Sequence, residues 1–561
     1  MNGIIGRAVA TEKYPATMDK FYFWTDSDFR LNAFDVVKVE HLEGSYSFGT
    51  VENIYHITDA KSFLTSYISN DFGEKIVDAP TLRIGMNYVE VAVSYNTKNI
   101  YTPVVNEAKV YLAKAEEIAQ ALGLDKMPNP LPCGFIKMYE DTENEIFLPV
   151  HLNSQFILGP EGAHLNISGI SGLAAKTSYA MFLIKSILES AEKTSDDSVA
   201  FIIFNVKGRD LMAIHECNNS DDITDIVADY KELGLSGNPF KKVNYYAPFN
   251  EDKEVTSYLS SERISEYFSK KILKKFKYLY EADSDRESLE MLFSDIDDTT
   301  QTMDSIISKV IDSADSDFGK NSGISNWNDF LAKVSDLSSK GSGGGKANEI
   351  SVLSWRKFKR IVNKAIKNDD MFVKVGRVVP QDNSCRLEEE LKKISAGSVS
   401  VIDIAKLSTD KQAFVFGDVL KTIYRLKLGE YDIEGINPPS RIIIFVDELN
   451  KYASKDTSKN SPILRQILDV AERGRSLGIV LFGAEQFRSN IHPRVQGNCS
   501  TFAFGRTNVI ETTTKDYSAL PATYKSILTR LEQGEYIIQN PIFRTLLKIR
   551  FPKPIYKQFK D

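Results

Sequence analysis

The sequence predicts an α/β protein with a mainly parallel sheet, preceded by a small β-barrel and interrupted by a helical insertion. Residues 1–115 alternate apolar and polar positions and are rich in β-branched and aromatic side chains, the pattern of short strands with one covered face. From about residue 135 onward, runs such as AFIIF and RIIIFV are apolar at every position, as strands buried on both faces require. These runs alternate with helical patterns, the order from which a parallel sheet is wound.

Taken in order, NGIIGRAVA, KFYFWT, FDVVKVEHL, SYSFGTVENIYHI and TLRIGMNYVEVAVSY read as strands of the first domain, residues 1–115. The stretch NEAKVYLAKAEEIAQALGL reads as helical, and the turn-rich DKMPNPLPCGF closes a linker, residues 116–134. EDTENE reads as a turn between strands. The α/β domain begins at residues 135–250 and resumes at 396–540, with strands in HLNISGIS, SVAFIIFNVKG, SVSVIDIAKL, RIIIFVDEL, GIVLFGAEQ, STFAFGRTN and GEYIIQN.

Residues 251–395 read as the helical insertion. Two of its segments, SKKILKKFKYLY (Lys270, Lys271, Lys274, Lys275, Lys277) and SWRKFKRIVNKAIK (Arg356, Lys357, Lys359, Arg360), read as basic amphipathic helices. Such a run is ordinarily a solvated helix face, with contact to DNA or a partner as the rival reading. SSKGSGGGKAN has no hydrophobic strand before it and no hydroxyl residue after Lys346, so it reads as a linker. In the tail, residues 541–561, strand character gives way to prolines that prevent a regular helix.

The 69 basic and 76 acidic residues leave a formal charge of −7, so no global basic field points to nucleic acid. The four cysteines are scattered without a C-x-x-C, which argues against a disulfide framework or structural zinc and for a reducing cytoplasm. No apolar run approaches the roughly 18 residues of a membrane span, and the first residues lack a signal-peptide core, so no membrane association is expected.

The chemistry concentrates around ISGISGLAAKTSYAMF. In the phosphate loop G-x-x-x-x-G-K-[ST], backbone N–H groups and a lysine hold phosphates and a hydroxyl serves magnesium. Here Lys176 and Thr177 are in place, but the two glycine positions hold Ile170 and Ala175. Counted from Gly169, the lysine arrives one residue late. Asp447 and Glu448 end the buried run RIIIFVDEL. At the C-terminal end of a parallel strand, the first would serve a metal shell and the second would take a proton from attacking water. Gln486, ending GIVLFGAEQ, suits the orientation of water near a terminal phosphate. Between them Arg473 and Arg475 are candidates for an arginine finger given to a neighbouring chain, with Arg506 a weaker one.

GISGLAAKTS, IIIFVDELNKYA and ERGRSLGIVLFGAEQFRSNIHPRVQGNCSTFAFGRTN resemble the HerA-like branch of the FtsK/HerA superfamily of DNA-pumping ATPases. FILGPEGAHLNISG and the N-terminal β-rich segment resemble that family's lead-in and HAS-barrel. The resemblance implies a RecA-like P-loop NTPase core that binds ATP and Mg2+. The variant loop is carried by Gly169, Ser171, Gly172, Leu173, Ala174, Ala175, Lys176, Thr177 and Ser178, with Thr177 and Asp447 at the metal.

It further implies a homohexameric ring with duplex DNA in its channel and a partner nuclease or other effector, in DNA-end processing or antiphage defence. Lys451, Lys455 and Lys459, in the loop after the acidic strand, are candidates to face that channel. A nucleotide-gated scaffold with slow or incidental hydrolysis is the rival function. A nuclease within this chain is disfavoured, because no further metal-ligand cluster is seen.

Overall fold

A computed structural model describes residues 3–69, 72, 84–125, 127–172, 175–193, 198–294, 302–339, 350–374, 383–431, 435 and 437–559. Residues 1–153 and 506–551 form one compact unit, and residues 154–505 and 552–561 form another.

In the first unit, β1 (Gly6–Val9), β2 (Lys20–Thr25), β3 (Val36–Glu40), β4 (Tyr46–Thr58), β5 (Gly85–Asn96) and β6 (Lys109–Leu112) close into an antiparallel barrel, ordered β1-β2-β5-β4-β3-β6. Inward residues such as Phe21, Phe23, Val37, Val39, Val51, Val89 and Val91 fill it. The helical reading of NEAKVYLAKAEEIAQALGL is corrected at its start. Lys109–Leu112 is β6, which pairs with both β1 and β3; a helix there would leave two strand edges open. Only Ala115–Leu122 is helical, ended by Gly123 in left-handed backbone.

DKMPNPLPCGF also departs from its reading as a turn-rich boundary, because most of it lies in β7 (Pro130–Met138), which pairs with β8 (Ile146–Asn153). EDTENE is the turn between them.

The second unit is α/β. Its strands are β9 (Leu165–Ser168), β10 (Val199–Asn205), β11 (Val243–Asn250), the short β12 (Glu254–Val255), β13 (Leu273–Phe276), β14 (Ser384–Cys385), β15 (Val399–Asp403), β16 (Arg441–Asp447), β17 (Ile479–Glu485) and β18 (Thr501–Phe504). The sheet order is β14-β13-β11-β15-β10-β16-β17-β9-β18 with parallel neighbours, and β12 pairs antiparallel with β11. β17 therefore lies between the strand that leads into the Gly169 loop and the strand that ends in Asp447, the order of a RecA-like core. The remaining strands, β19 (Glu535–Gln539) and β20 (Leu547–Arg550), belong to the first unit, where β19, β20, β7 and β8 form an antiparallel sheet.

The insertion is not wholly helical. SKKILKKFKYLY, read as an amphipathic helix, contains β13, and its lysines serve the fold: Lys274 pairs with Glu390 at 2.5 Å, and buried Lys275 with Glu254 at 2.7 Å. The lysine run conceals a two-residue alternation in which Phe276, Tyr278 and Tyr280 all face the core. SWRKFKRIVNKAIK is helical within Val352–Ile366. Its Trp355 and Phe358 pack with Trp327 and Phe330 of helix Trp327–Ser339, in the same core as Ile202, Ile402 and Ile442 of the sheet. The glycine-rich linker reading at residues 340–348 lies outside the described residues.

Candidate functional site

Strand register sets the site. Ala484 of β17 lies level with Ile167 of β9 and with Asp447 of β16, so three strand ends reach one edge together. Beyond β9, Gly169 (φ 152°) and Gly172 (φ 79°) turn the chain, and the Gly169 N–H donates to the Glu485 carbonyl at 3.1 Å. Ala175 holds φ 48°, a left-handed conformation that glycine adopts without steric cost, immediately before helix Lys176–Lys193. Leu173 and Ala174 lie outside the described residues.

Lys176 is buried, at 6% exposure, and its Nζ donates to the Gly169 carbonyl at 2.8 Å and to Ser171 Oγ at 3.5 Å. Burial lowers its pKa, and the Asp447 carboxylate opposes that shift. The ammonium thus closes the loop on itself, within electrostatic reach of the acidic strand end. Thr177 Oγ1 donates to Asp447 Oδ2 at 3.3 Å. Ser178 Oγ accepts from Gln558 Nε2 of the tail at 3.2 Å.

Glu448, like Ala175, has left-handed backbone (φ 58°, ψ 44°), and its N–H donates to Asp447 Oδ1 at 2.9 Å. That turn directs the two carboxylates differently. Asp447 faces Thr177, and Glu448 Oε1 forms an ion pair with Lys207 Nζ at 2.7 Å, which also lies 4.0 Å from Asp447. Gln486 follows β17 at the same edge, half-buried.

The arginines are elsewhere in this chain. Arg473 and Arg475 are exposed near the end of helix Pro462–Leu477, which runs back from the acidic edge and leads into β17 opposite Ile442. Arg475 Nη1 donates to the Glu161 carbonyl at 3.4 Å. Along β16 this end lies roughly 17 Å from Asp447. Of the three lysines after the acidic strand, Lys451 turns inward to Gln412 Oε1 at 2.5 Å, whereas Lys455 and Lys459 are exposed.

The Thr177 hydroxyl and the Asp447 carboxylate supply two hard oxygen donors 3.3 Å apart, a few tenths of an ångström wider than the spacing of about 2.9 Å between adjacent ligands of octahedral Mg2+. They fit a cation that takes one carboxylate and one hydroxyl and completes its shell with phosphate and water. Among the described residues no cluster of three His, Cys, Asp or Glu offers an all-protein cage.

Two groups at this edge escape a motif reading. Lys207 lies in NVKGRD, just past buried β10, where a basic residue at the end of a parallel strand was the available signal. Glu485 hides inside an apolar strand pattern. It is fully buried, and burial holds its pKa well above the ordinary carboxylate range, with the Asn166 side chain opposing that shift.

No protein-family model and no curated protein matches this sequence. Among solved structures, the chain is similar to the bacterial conjugative coupling protein TrwBdeltaN70 in an unbound form, with TM-score 0.43 and 12% identity over 73% of this chain and 90% of that one. It is also similar to plasmid coupling protein TrwB in complex with the non-hydrolysable ATP analogue ADPNP, with TM-score 0.42 and 10% identity over 71% of this chain and 87% of that one. A third is the genome packaging NTPase B204 from Sulfolobus turreted icosahedral virus 2 in complex with ATP-gammaS, with TM-score 0.22 and 15% identity over 30% of this chain and 72% of that one. Likeness at this level leaves the functional reading to the geometry of the site.

Proposed function

We propose that this chain is an ATPase motor of the FtsK/HerA kind that assembles into a ring, six-fold by family resemblance, and moves duplex DNA for a partner nuclease or other effector. The observation that carries the reading is the convergence of Lys176, Thr177, Asp447, Glu448 and Gln486 at one sheet edge, with β17 between the loop strand and the acidic strand. Lys176 and the loop from Gly169 to Ser178 hold the phosphates. Thr177 and Asp447 hold Mg2+, which when bound neutralises phosphate charge. Glu448 takes the proton of the attacking water, and Gln486 orients that water. Arg473 or Arg475, far from the site of its own chain, serves the nucleotide of the next subunit. Repetition around a ring multiplies local charges such as Lys455 and Lys459, which lets an acidic chain hold DNA.

The test is steady-state ATP hydrolysis by the full chain, with and without linear duplex DNA, beside Lys176→Ala and Glu448→Gln. DNA-stimulated turnover that needs Lys176, and a Glu448→Gln protein that binds ATP but barely hydrolyses it, are the expected results. Normal hydrolysis in Glu448→Gln would refute its role as base.

One observation favours the scaffold reading, in which ATP binding rather than turnover activates the effector: Glu448 is engaged by Lys207. If Lys176→Ala abolishes effector activation while Glu448→Gln preserves it, the scaffold stands.

A further inference from the structure

We propose that in the nucleotide-free chain Lys207 is the countercation of the acidic strand end: its ammonium holds Glu448 beside Asp447 until nucleotide and metal bind together. This rests on the site reading above, since it takes Asp447 and Glu448 as the metal-side and water-side carboxylates.

The loop is built to present this side chain. Asn205, the last residue of β10, donates through Nδ2 to Asp403 Oδ1 at 2.8 Å and to the Gly208 carbonyl at 3.1 Å, folding the chain back just past Lys207. Asp403 is itself held by Ser257 Oγ at 2.6 Å. Gly208 takes φ 50°, and two residues past Lys207 the Arg209 guanidinium stacks on Phe559, 4.5 Å from the ring centre. The backbone is anchored on both sides, while the Lys207 side chain keeps 43% exposure and the freedom of a four-carbon stem.

The charge count gives the contact its meaning. Lys176 and Lys207 meet Asp447 and Glu448, two cations against two carboxylates, and the buried Glu485 carboxyl at the same edge is matched by Arg488. A locally neutral site has little attraction for a bare divalent cation. With nucleotide bound, the flexible Lys207 side chain would turn to the phosphates and leave Glu448 facing water. Lys207 therefore acts through Glu448, as a positioning residue, and it couples metal entry to nucleotide entry.

The experiment titrates Mn2+, as a spectroscopic probe of the Mg2+ position, into the nucleotide-free full chain and follows free Mn2+ by electron paramagnetic resonance. Lys207→Met is expected to bind one Mn2+ roughly tenfold or more tightly than the native chain, because a unit charge about 4 Å away is removed. Lys207→Arg keeps the cation and is expected to behave like the native chain. Adding Asp447→Asn to Lys207→Met is expected to erase the gained site. Affinity unchanged in Lys207→Met overturns the proposal, as does a gained site that survives Asp447→Asn.

The steady-state split is the second readout: Lys207→Met is expected to change KM for Mg–ATP more than kcat, with Lys207→Arg restoring it. A loss of kcat alone, with native Mn2+ binding, also overturns it. Failure of the base assignment is read separately, by normal hydrolysis in Glu448→Gln, and leaves the Mn2+ result standing on its own.

Discussion

At the C-terminal edge of the parallel sheet, Ala175 and Glu448 both hold left-handed backbone, Lys176 spends its charge on a carbonyl of its own loop, and Glu448 is occupied by a lysine. At the opposite edge His164 is also left-handed (φ 68°), but there the strain is compensated. Its Nδ1 accepts from the Leu481 N–H at 2.9 Å, which leaves Nε2–H to donate to the Ala471 carbonyl at 3.1 Å. One buried neutral imidazole thereby ties the start of β9 to β17 and to the arginine-bearing helix. Nearby, a Cβ on Gly474 would stand 2.6 Å from the Ile479 carbonyl, so helix and strand meet there at backbone distance. The same sheet is thus saturated at one edge and held in reserve at the other, where strain and provisional contacts are available for a ligand to replace.

The largest break in this contrast is expected from Lys176→Ala. Removing a preorganised charge from the reserve edge should lower ATP turnover roughly 100- to 1,000-fold while the melting temperature stays near native. Steady-state kinetics beside calorimetry separates the two; a large fall in Tm would show that the lysine is structural.

His164→Leu should do the reverse. It leaves a buried donor and a buried acceptor unpaired and should cost about 2–4 kcal/mol of unfolding free energy, read by urea denaturation. The pH dependence follows from the same group. Burial pushes the His164 pKa down to about 4, with the Ala471 carbonyl opposing and Arg475 adding to the shift. A depressed histidine contributes stability that is whole above its ordinary value near 6.5 and is lost as pH falls through about 4. His164→Gln, which can reproduce the accepted and the donated bond, should flatten that acid loss between pH 6.5 and 4. An unchanged acid slope would assign it to other groups.

The smallest effect sharpens the comparison. Ala175→Gly relieves left-handed strain of about 1 kcal/mol. It should speed turnover a few-fold if the strain opposes the loop's closure on phosphate, and change only stability if it does not.

Much of this was legible in the chain. Apolar-throughout runs such as AFIIF and RIIIFV located central parallel strands, because a strand covered on both faces favours apolar side chains, and the DE pair marked a strand end, since an unpaired charge inside a dry sheet is costly. Other elements misled for equally physical reasons. SKKILKKFKYLY places lysines at helical spacing, but the aromatic alternation beneath them seats it as β13 once β11 offers an edge. Lys109–Leu112 belongs to the barrel because β1 and β3 both need its backbone.

The sequence by itself determined the chemistry present: one lysine and hydroxyl after a glycine turn, two carboxylates at a strand end, a glutamine at another, and the order in which they come. That information is local, carried by residue type and period. Only the tertiary structure decided which of them meet. Sheet order placed β17 between β9 and β16, register levelled their ends, and the turn at Gly208 brought Lys207 against Glu448. The direction of helix Pro462–Leu477 carried Arg473 and Arg475 to the far edge. Such pairings depend on contacts between residues hundreds of positions apart, which no local pattern encodes.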